Sequence, residues 1–169
     1  DLSLISDIFP GSKAIRINSS KIIDDFPSFY KYSNYHLSVF YRLYAIPELS
    51  NNLTLYVDAD TICRGSLKGI LKYKDPLISK QKQIAACSHF RPGLPNEICN
   101  IDSPYLYFNS GVLLFFPKDI LKVLNIERIK LLTKTEPKLL EHPDQSILNY
   151  LFKGKVKWMD YIFNTESWH

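Results

Sequence analysis

Cysteine and glycine are both scarce in this 169-residue sequence, and each shortage argues against a class of site. The three cysteines, Cys63, Cys87 and Cys99, are odd in number and widely spaced, and they form no Cys-x-x-Cys pair. That pattern argues against a disulfide framework and against a zinc site. The six glycines build no Gly-rich loop that could cradle a phosphate, so a magnesium-dependent phosphoryl or nucleotidyl transferase is the least favoured interpretation.

Long apolar runs and dense clusters of charge are absent as well. No apolar stretch approaches the roughly 20 residues that cross a bilayer, and residues 1–10 lack the basic start and cleavage site of a signal peptide. A cytoplasmic protein is therefore expected. The net charge of +4 comes from scattered lysines, so no nucleic-acid partner is expected. With 46% hydrophobic residues the chain can bury a core, and a single domain over residues 1–169 is predicted.

Hydrophobic periodicity predicts strands that alternate with helices. Strands are predicted over residues 14–17, 53–57, 84–87, 107–116 and 156–159, and helices over residues 35–49, 118–125 continuing through 127–132, and 143–152. The run over 53–57 is apolar on both faces, which is typical of a buried central strand. Residues 89–104 have no sustained period and predict a long loop. This alternation favours an α/β sandwich.

Two aspartates, Asp58 and Asp60, stand where the strand over residues 53–57 ends. Residues i and i+2 of an extended chain point to the same side, so the two carboxylates could hold one cation between them. Oxygen ligands favour magnesium or manganese over zinc or copper. The alternative is a solvated turn after the strand, where aspartate is common for structural reasons.

The helix before this strand carries Arg42 and His36. An arginine there could clamp a phosphate or hold the two carboxylates in place. His36 has an equally simple structural interpretation as a half-buried residue at the start of the helix.

Small polar residues interrupt the apolar strand over residues 107–116. Asn109, Ser110 and Gly111 weaken the strand locally unless a ligand or another backbone approaches closely. A ligand hydroxyl bound to Asn109 would explain the interruption. The alternative is a β-bulge in which Asn109 and Ser110 satisfy the backbone.

The helix predicted over residues 143–152 begins with Pro143, Asp144 and Gln145. Proline suits the first turn and the helix dipole favours an acid there, so Asp144 has a structural explanation. Gln145 has none so obvious, and a helix start is a suitable place from which to direct polar groups at a sugar.

Read together and in order, these blocks resemble glycosyltransferase family 8, over about residues 36–164. The resemblance is carried by the helix His36-Leu-Ser-Val-Phe-Tyr-Arg-Leu, the motif Leu55-Tyr-Val-Asp-Ala-Asp-Thr followed by Gly65-Ser-Leu, the strand Phe108-Asn-Ser-Gly-Val-Leu-Leu and the helix start Asp144-Gln-Ser-Ile-Leu-Asn. Asp-x-Asp alone is a weak signal, whereas four blocks in this order and spacing are specific.

The resemblance implies a Rossmann-like GT-A fold, with a mixed, mostly parallel central sheet and helices on both faces. It also implies a UDP-hexose donor and a Mn²⁺ or Mg²⁺ ion held by Asp58 and Asp60. The implied reaction is transfer of galactose or glucose to an acceptor hydroxyl with retention of the anomeric configuration.

Matching motif positions also imply roles for individual residues. Asn109 and Ser110 would line the donor-sugar pocket, Asp144 would accept hydrogen bonds from sugar hydroxyls, and Gln145 would lie near the anomeric carbon. Since glutamine is a poor nucleophile, Gln145 is better assigned to stabilising a cationic sugar. His36, Arg42, Asp58, Ala59 and Asp60 complete the implied donor-binding set.

The sequence departs from the family pattern in three places. The family's opening strand has no counterpart before Asp1, and its closing His-x-x-Gly-x-x-Lys-Pro-Trp motif, which supplies a third metal ligand, is missing at His169. His89 stands where relatives often carry an acid that faces the donor sugar. A domain incomplete at both ends is therefore expected, and a non-catalytic sugar-nucleotide-binding or scaffolding remnant of the same fold is the alternative function.

The resemblance implies partners as well. The acceptor would be a glycan or glycolipid in lipopolysaccharide or other cell-surface glycan synthesis. The protein would reach that acceptor from the cytoplasm, with possible peripheral association at the inner face of a membrane.

Overall fold

The computed structural model describes residues 11–89, 101, 103 and 106–165. Seven α-helices are described, and they are α1 (Ser19–Asp25), α2 (Phe29–Tyr32), α3 (Tyr41–Ala45), α4 (Lys74–Ile78), α5 (Pro117–Ile120), α6 (Ile126–Thr135) and α7 (Pro143–Leu151). Short 3-10 helices cover Leu37–Phe40, Ile46–Glu48, Leu67–Tyr73, Pro137–Glu141 and Tyr161–Phe163. None of the helices in this part of the chain has the length and apolar character that a bilayer span requires.

Four strands form one mixed sheet in the order β1-β3-β2-β4. The strands are β1 (Thr54–Val57), β2 (Ile84–Ser88), β3 (Phe108–Phe115) and β4 (Val156–Met159). β3 pairs antiparallel with both β1 and β2, whereas β2 and β4 are parallel. Three strands therefore run in one direction and β3 runs against them, which agrees with the mixed sheet expected from the sequence.

Helices cover both faces of the sheet because side chains alternate along its strands. On one face Leu113 and Phe115 of β3 pack in the larger hydrophobic cluster, together with Ile147 and Leu148 of α7. On the other face Leu114 of β3 packs in a smaller cluster. That cluster also contains Ile70, Tyr73 and Leu77, from the 3-10 helix Leu67–Tyr73 and from α4. The predicted α/β sandwich is confirmed.

The strand predicted over residues 53–57 forms, but within the described residues it is neither central nor fully buried. β1 has β3 as its one neighbour among the described strands, so it lies at the edge of the described sheet. Val57 is 43% exposed, and the three residues before it are only half-buried. The long apolar strand β3 occupies the interior position instead, and most of its residues are buried.

Two predicted helices are divided in the structure. The helix over residues 35–49 becomes a 3-10 turn, α3 and a second 3-10 turn that contains Pro47, whose missing N–H disfavours a longer α-helix. The helix over residues 118–132 divides into α5 and α6 because the side chain of Asn125 accepts hydrogen bonds from the first turn of α6. Residues 14–17, predicted as a strand, form no strand in the structure.

Candidate active site

The polar interruption in β3 is a β-bulge. Pairing between β2 and β3 is regular at Ala86 and Leu113, breaks, and resumes at Ser88 and Phe108. Cys87 of β2 therefore faces four residues of β3, 109–112. The side-chain oxygen Oδ1 of Asn109 accepts a hydrogen bond from the Gly111 N–H at 2.7 Å. The bulge of the structural alternative is present, and the Asn109 side chain satisfies the backbone there, whereas the Ser110 hydroxyl contacts side chains of α7 instead.

Gly111 allows β1 and the bulge to approach each other closely. Its carbonyl oxygen accepts a hydrogen bond from the Asp58 N–H at 2.8 Å. A Cβ atom on Gly111 would lie 2.9 Å from Asn109 Oδ1 and 3.0 Å from Asp58 Oδ2. Any larger residue would therefore push against two side chains that the sequence assigns to the donor site.

Arg42 of α3 joins three elements at this point. One guanidinium nitrogen donates to the Ser110 carbonyl at 2.6 Å. The other lies 2.7 Å from Asp58 Oδ1 and 3.0 Å from Asp144 Oδ2. The Arg42 side chain is only 9% exposed, so these ion pairs are largely shielded from water. The sequence expectation that Arg42 could hold the carboxylates of Asp58 and Asp60 in place agrees with this geometry at Asp58, but the second carboxylate that Arg42 contacts is that of Asp144.

Tyr56 belongs to the same cluster and was missed by the sequence reasoning. Its hydroxyl donates to Asp58 Oδ1 at 2.6 Å, and the Arg42 guanidinium lies over its ring at 4.3 Å from the ring centre. Burial raises the pKa of the Tyr56 hydroxyl, Arg42 opposes this, and the hydrogen bond to Asp58 adds to the rise. The sequence feature that could have indicated Tyr56 is its position two residues before Asp58, which places both side chains on the same side of the strand.

The start of α7 brings Asp144 and Gln145 against the bulge. The Ser110 N–H donates to Gln145 Oε1 at 2.9 Å, and the Ser110 hydroxyl lies 3.3 Å from Asp144 Oδ2. Burial raises the pKa of the Asp144 carboxyl above its ordinary value; Arg42 opposes that shift and Asp58 reinforces it. Asp144, Gln145 and Ser110, which the sequence assigned to one sugar pocket, therefore lie in direct contact.

Asn149, one turn farther along α7, holds this helix to β3. Its side-chain amide accepts from the Phe108 N–H at 2.8 Å and donates to the Phe108 carbonyl at 2.9 Å. A second donor contact reaches the Gln145 carbonyl at 2.9 Å. Asn149 is 1% exposed, so its hydrogen bonds replace strand pairing where β3 begins. The family block contains Asn149, but no local pattern distinguished it from a solvent-facing residue.

Two further polar residues surround Asn109. Asn164 donates to Asn109 Oδ1 at 2.7 Å, and His89 Nδ1 lies 3.4 Å from Asn109 Nδ2. His89, which the resemblance placed near the donor sugar, thus lies beside a residue assigned to the sugar pocket. Most of the loop predicted over residues 89–104 lies outside the described residues, as does Cys99. Cys63 and Cys87 are free thiols.

The structure does not bring every candidate into the cluster. The Nδ1 atom of His36 accepts a hydrogen bond from the Ser38 N–H at 3.2 Å, which is the helix-start role considered as its alternative, but His36 is exposed and not half-buried as that alternative supposed. Ala59 and Asp60 lie in an exposed turn directly after β1. His169 lies outside the described residues.

The donor atoms near β1 suit a hard cation, although they do not complete its coordination. Within the described ranges no group of three or more His, Cys, Asp or Glu side chains is placed to hold a metal. Asp58 Oδ1 is occupied by Arg42 and Tyr56, whereas Oδ2 and the exposed Asp60 carboxylate make no hydrogen bond within the described part of the chain. The carboxylates of Asp58 and Asp144 contact Arg42, and Asp60 follows two residues after Asp58. Carboxylate oxygens are ligands that fit Mg²⁺ or Mn²⁺.

Known proteins resemble this chain in sequence and in fold. An Escherichia coli protein named lipopolysaccharide 1,2-glucosyltransferase is 33% identical over 134 residues, which are 76% of this chain and 39% of that protein. The galactosyltransferase LgtC, solved with donor and acceptor sugar analogs, superposes with a TM-score of 0.69 at 23% identity, over 92% of this chain and 56% of LgtC. The Streptococcus pneumoniae glycosyltransferase GlyE is 27% identical, with a TM-score of 0.54, over 74% of this chain and 28% of GlyE.

These comparisons establish the fold and the family. The likeness to LgtC confirms the predicted GT-A fold. The chain spans 39% and 38% of the length of the two curated relatives it matches. The sequence model described as "Glycosyl transferase family 8" matches residues 4–167, nearly the whole sequence. The chain therefore belongs to glycosyl transferase family 8.

Proposed function

We propose that this chain forms the donor-sugar region of a retaining, metal-dependent hexosyltransferase that moves galactose or glucose from a UDP-sugar to an acceptor hydroxyl. The observation that carries the proposal is the junction of three elements at Arg42, which bonds Asp58 after β1, Ser110 in the β3 bulge and Asp144 at the start of α7. Every residue in that junction belongs to a block of the family resemblance.

Asp58 and Asp60 would hold a Mn²⁺ or Mg²⁺ ion in this proposal. When bound, such an ion would neutralise negative charge on the diphosphate of the donor as UDP departs. Arg42 fixes the Asp58 carboxylate in position and supplies a second positive charge at the same place. Asp60, which is exposed, remains accessible to an ion.

The sugar would lie between the β3 bulge and the start of α7. Asp144 and Ser110 would bind its hydroxyls, since both side chains are held in place before any ligand arrives. Asn109, held by Gly111 and Asn164, would bind another hydroxyl. His89, placed beside Asn109, would contribute to the choice between galactose and glucose.

Gln145 would stabilise the positive charge that develops on the sugar. The Ser110 N–H fixes its Oε1 atom, so the oxygen end of the amide dipole points in a defined direction. A neutral amide cannot replace a carboxylate as a nucleophile, but its oxygen can lie against a cationic centre without the cost of burying a charge.

The acceptor proposed is a glycan or glycolipid in lipopolysaccharide or other cell-surface glycan synthesis. The support is the matched relative, whose name is lipopolysaccharide 1,2-glucosyltransferase. The reaction would take place in the cytoplasm, with peripheral attachment to the inner face of the membrane that carries the acceptor.

Calorimetric titration with UDP, UDP-glucose and UDP-galactose, each with and without MnCl₂, tests the proposal. Manganese-dependent binding of at least one UDP-sugar is expected, followed by transfer of its sugar.

Asp60→Asn is the sharper metal variant because Asp60 is exposed, whereas Asp58→Asn would also disturb the ion pair with Arg42. Asp24→Asn, which changes an exposed aspartate on α1, is the matched control. Equal manganese-dependent binding by wild type and Asp60→Asn would refute the metal assignment, and binding without turnover would favour a non-catalytic remnant.

A further inference from the structure

The two carboxylate oxygens of Asp58, the residue after β1 that the proposed function assigns to the metal, have different surroundings. Oδ1 accepts a hydrogen bond from the Tyr56 hydroxyl at 2.6 Å and another from a guanidinium nitrogen of Arg42 at 2.7 Å. Oδ2 makes no hydrogen bond within the described part of the chain. Since a carboxylate oxygen has about two lone-pair sites, the two donors fill Oδ1. Oδ2 is therefore the oxygen of Asp58 that is left for a cation.

The Tyr56 hydroxyl is held in the position from which it donates to Asp58. Its ring packs against the larger hydrophobic cluster, and the Arg42 guanidinium lies 4.3 Å from the ring centre. The backbone of Tyr56 is paired with Leu113 of β3. Tyr56 and Asp58 are two residues apart, so both side chains lie on the same side of the extended chain. The 2.6 Å separation is in the range of strong hydrogen bonds from a hydroxyl to a carboxylate.

The two donors to Oδ1 differ in how far they depend on Asp58. Arg42 also bonds the Ser110 carbonyl at 2.6 Å and lies 3.0 Å from Asp144 Oδ2, so these partners hold it in place without Tyr56. The Tyr56 hydroxyl has a single proton to donate, and it donates that proton to Asp58. Removal of this hydroxyl therefore frees one lone-pair site on Oδ1 and leaves the Arg42 junction intact.

From these observations we infer that Tyr56 is a positioning residue that makes Asp58 bind the cation through Oδ2 alone, and that it thereby favours Mn²⁺ or Mg²⁺ over Ca²⁺. Mg²⁺ and Mn²⁺ favour octahedral oxygen sites, and Mg²⁺ requires near-ideal geometry. Ca²⁺ accepts about six to eight oxygen ligands and binds both oxygens of one carboxylate readily. A carboxylate with one oxygen already filled supplies a single ligand, which suits the smaller ions. The inference rests on the proposed function, since it takes Asp58 as a metal ligand.

Cation affinity in Tyr56→Phe tests this role without any measurement of turnover. The EPR signal of free Mn²⁺ gives the Mn²⁺ affinity in the presence of UDP, with the same UDP solution without protein as the blank. Competition against Mn²⁺ gives the Ca²⁺ affinity. Tyr56→Phe is expected to bind Mn²⁺ about tenfold more weakly, which is the usual effect of removing a residue that orients a metal ligand. Ca²⁺ is expected to lose less, because the second oxygen of Asp58 becomes available to it, so the ratio of the Mn²⁺ to the Ca²⁺ affinity falls several-fold.

Tyr44→Phe is the matched control, because the Tyr44 hydroxyl donates to Asp25 at the same distance of 2.6 Å, away from the proposed metal site. Urea denaturation without cations checks that both variants fold; Tyr56→Phe keeps the ring that packs on the core, and each variant loses one hydrogen bond. Tyr44→Phe is expected to keep the wild-type affinities for both ions.

The ratio of the two affinities decides the result. An unchanged ratio in Tyr56→Phe would overturn the inference, whether both affinities fall together, as a purely structural role requires, or neither changes. A wild type that binds no Mn²⁺ in the presence of UDP would instead overturn the metal assignment of the proposed function, and the role of Tyr56 with it.

Discussion

At the scale of single residues, Arg42 sets the geometry of the site because it bonds three partners that are far apart in the sequence. Its guanidinium bonds Asp58, Asp144 and the Ser110 carbonyl, and the ring of Tyr56 covers one of its faces. A lysine could not replace it, because a single ammonium group lacks the planar fork that reaches these partners together.

Arg42→Met is expected to destabilise the fold markedly, since it leaves the buried Asp144 carboxylate without a cation. Removal of one partner from a buried ion pair lowers the free energy of unfolding by about 3–5 kcal/mol. The lower end of that range applies here because Asp58 keeps 32% of its side-chain surface exposed. Urea denaturation at neutral pH measures the loss. Arg128→Met, at an exposed position of α6, should change stability little, and similar losses in both variants would show that Arg42 has no special structural part.

Gly111→Ala is expected to abolish donor binding with only a moderate loss of stability. The new methyl group would meet Asn109 Oδ1 and Asp58 Oδ2, and both side chains would have to move. Overpacking of this kind costs about 1–3 kcal/mol. Gly65→Ala is the control, since nothing lies within 4 Å of a Cβ at Gly65. Calorimetry of UDP-sugar binding in both variants checks the prediction, and undiminished binding by Gly111→Ala would contradict it.

The sequence indicated several of these residues, but not how they contact one another. Asp58, Arg42 and Ser110 were recognisable from family blocks, yet Tyr56 looked like an ordinary strand residue and Asn149 like an ordinary helix residue. Both are distinguished only by their contacts, which join Tyr56 to Asp58 along the same strand and Asn149 of α7 to the Phe108 backbone. His36 illustrates a different case, because a histidine inside a family block also caps a turn, a contact that the family block does not indicate.

At the scale of elements, α1, α3 and α6 are joined by a second polar network away from the donor site. Asp25 at the end of α1 accepts a hydrogen bond from Tyr44 of α3 at 2.6 Å and pairs with Lys130 of α6 at 3.0 Å. Burial alone would raise the pKa of Asp25, but the hydrogen bond from Tyr44 and the contact with Lys130 outweigh it, so the net pKa lies below its ordinary value of 3.8.

Tyr44→Phe is expected to reduce the free energy of unfolding by about 1.5–3 kcal/mol at pH 7, the value of a hydrogen bond to a charged group. Because the folded pKa of Asp25 is depressed, its stabilisation is present above pH 3.8 and is lost as the pH falls through the folded pKa. The difference between wild type and Tyr44→Phe should therefore shrink below pH 3.8. Urea denaturation as a function of pH measures it, with Tyr30→Phe as the exposed control. A difference that stays constant into strong acid would contradict this account.

Elements with strong local signals were predictable, and those that depend on partners were not. Apolar residues at helical spacing after Pro143 predicted α7, and β4 forms over the residues expected. The position of β1 at the edge of the described sheet depends on which strands lie beside it, which no local pattern records. The division between α5 and α6 was readable in principle, because asparagine is a preferred residue before a helix, and Asn125 occupies that position.

At the scale of the whole molecule, the proposed donor site lies where α3 and α7, from separate parts of the chain, meet β1 and the β3 bulge. α3 and α7 both pack on the larger cluster, and each carries one partner of the Arg42–Asp144 pair. A ligand that bonds residues of both helices and of β1 therefore binds the folded state alone, since the unfolded chain does not assemble these residues. Stability then becomes a measure of binding for the molecule as a whole.

UDP and MnCl₂ together are expected to stabilise the fold more than either alone. At a UDP concentration about 100 times its Kd, mass action adds about 2.7 kcal/mol to the free energy of unfolding. Asp60→Asn should lose the manganese-dependent part of this gain while its stability without ligand stays close to that of the wild type, because Asp60 is exposed. Asp24→Asn should keep the full gain. Thermal unfolding with UDP, MnCl₂, both or neither measures these differences, and a UDP effect that is independent of manganese would contradict the proposed metal-dependent binding of UDP.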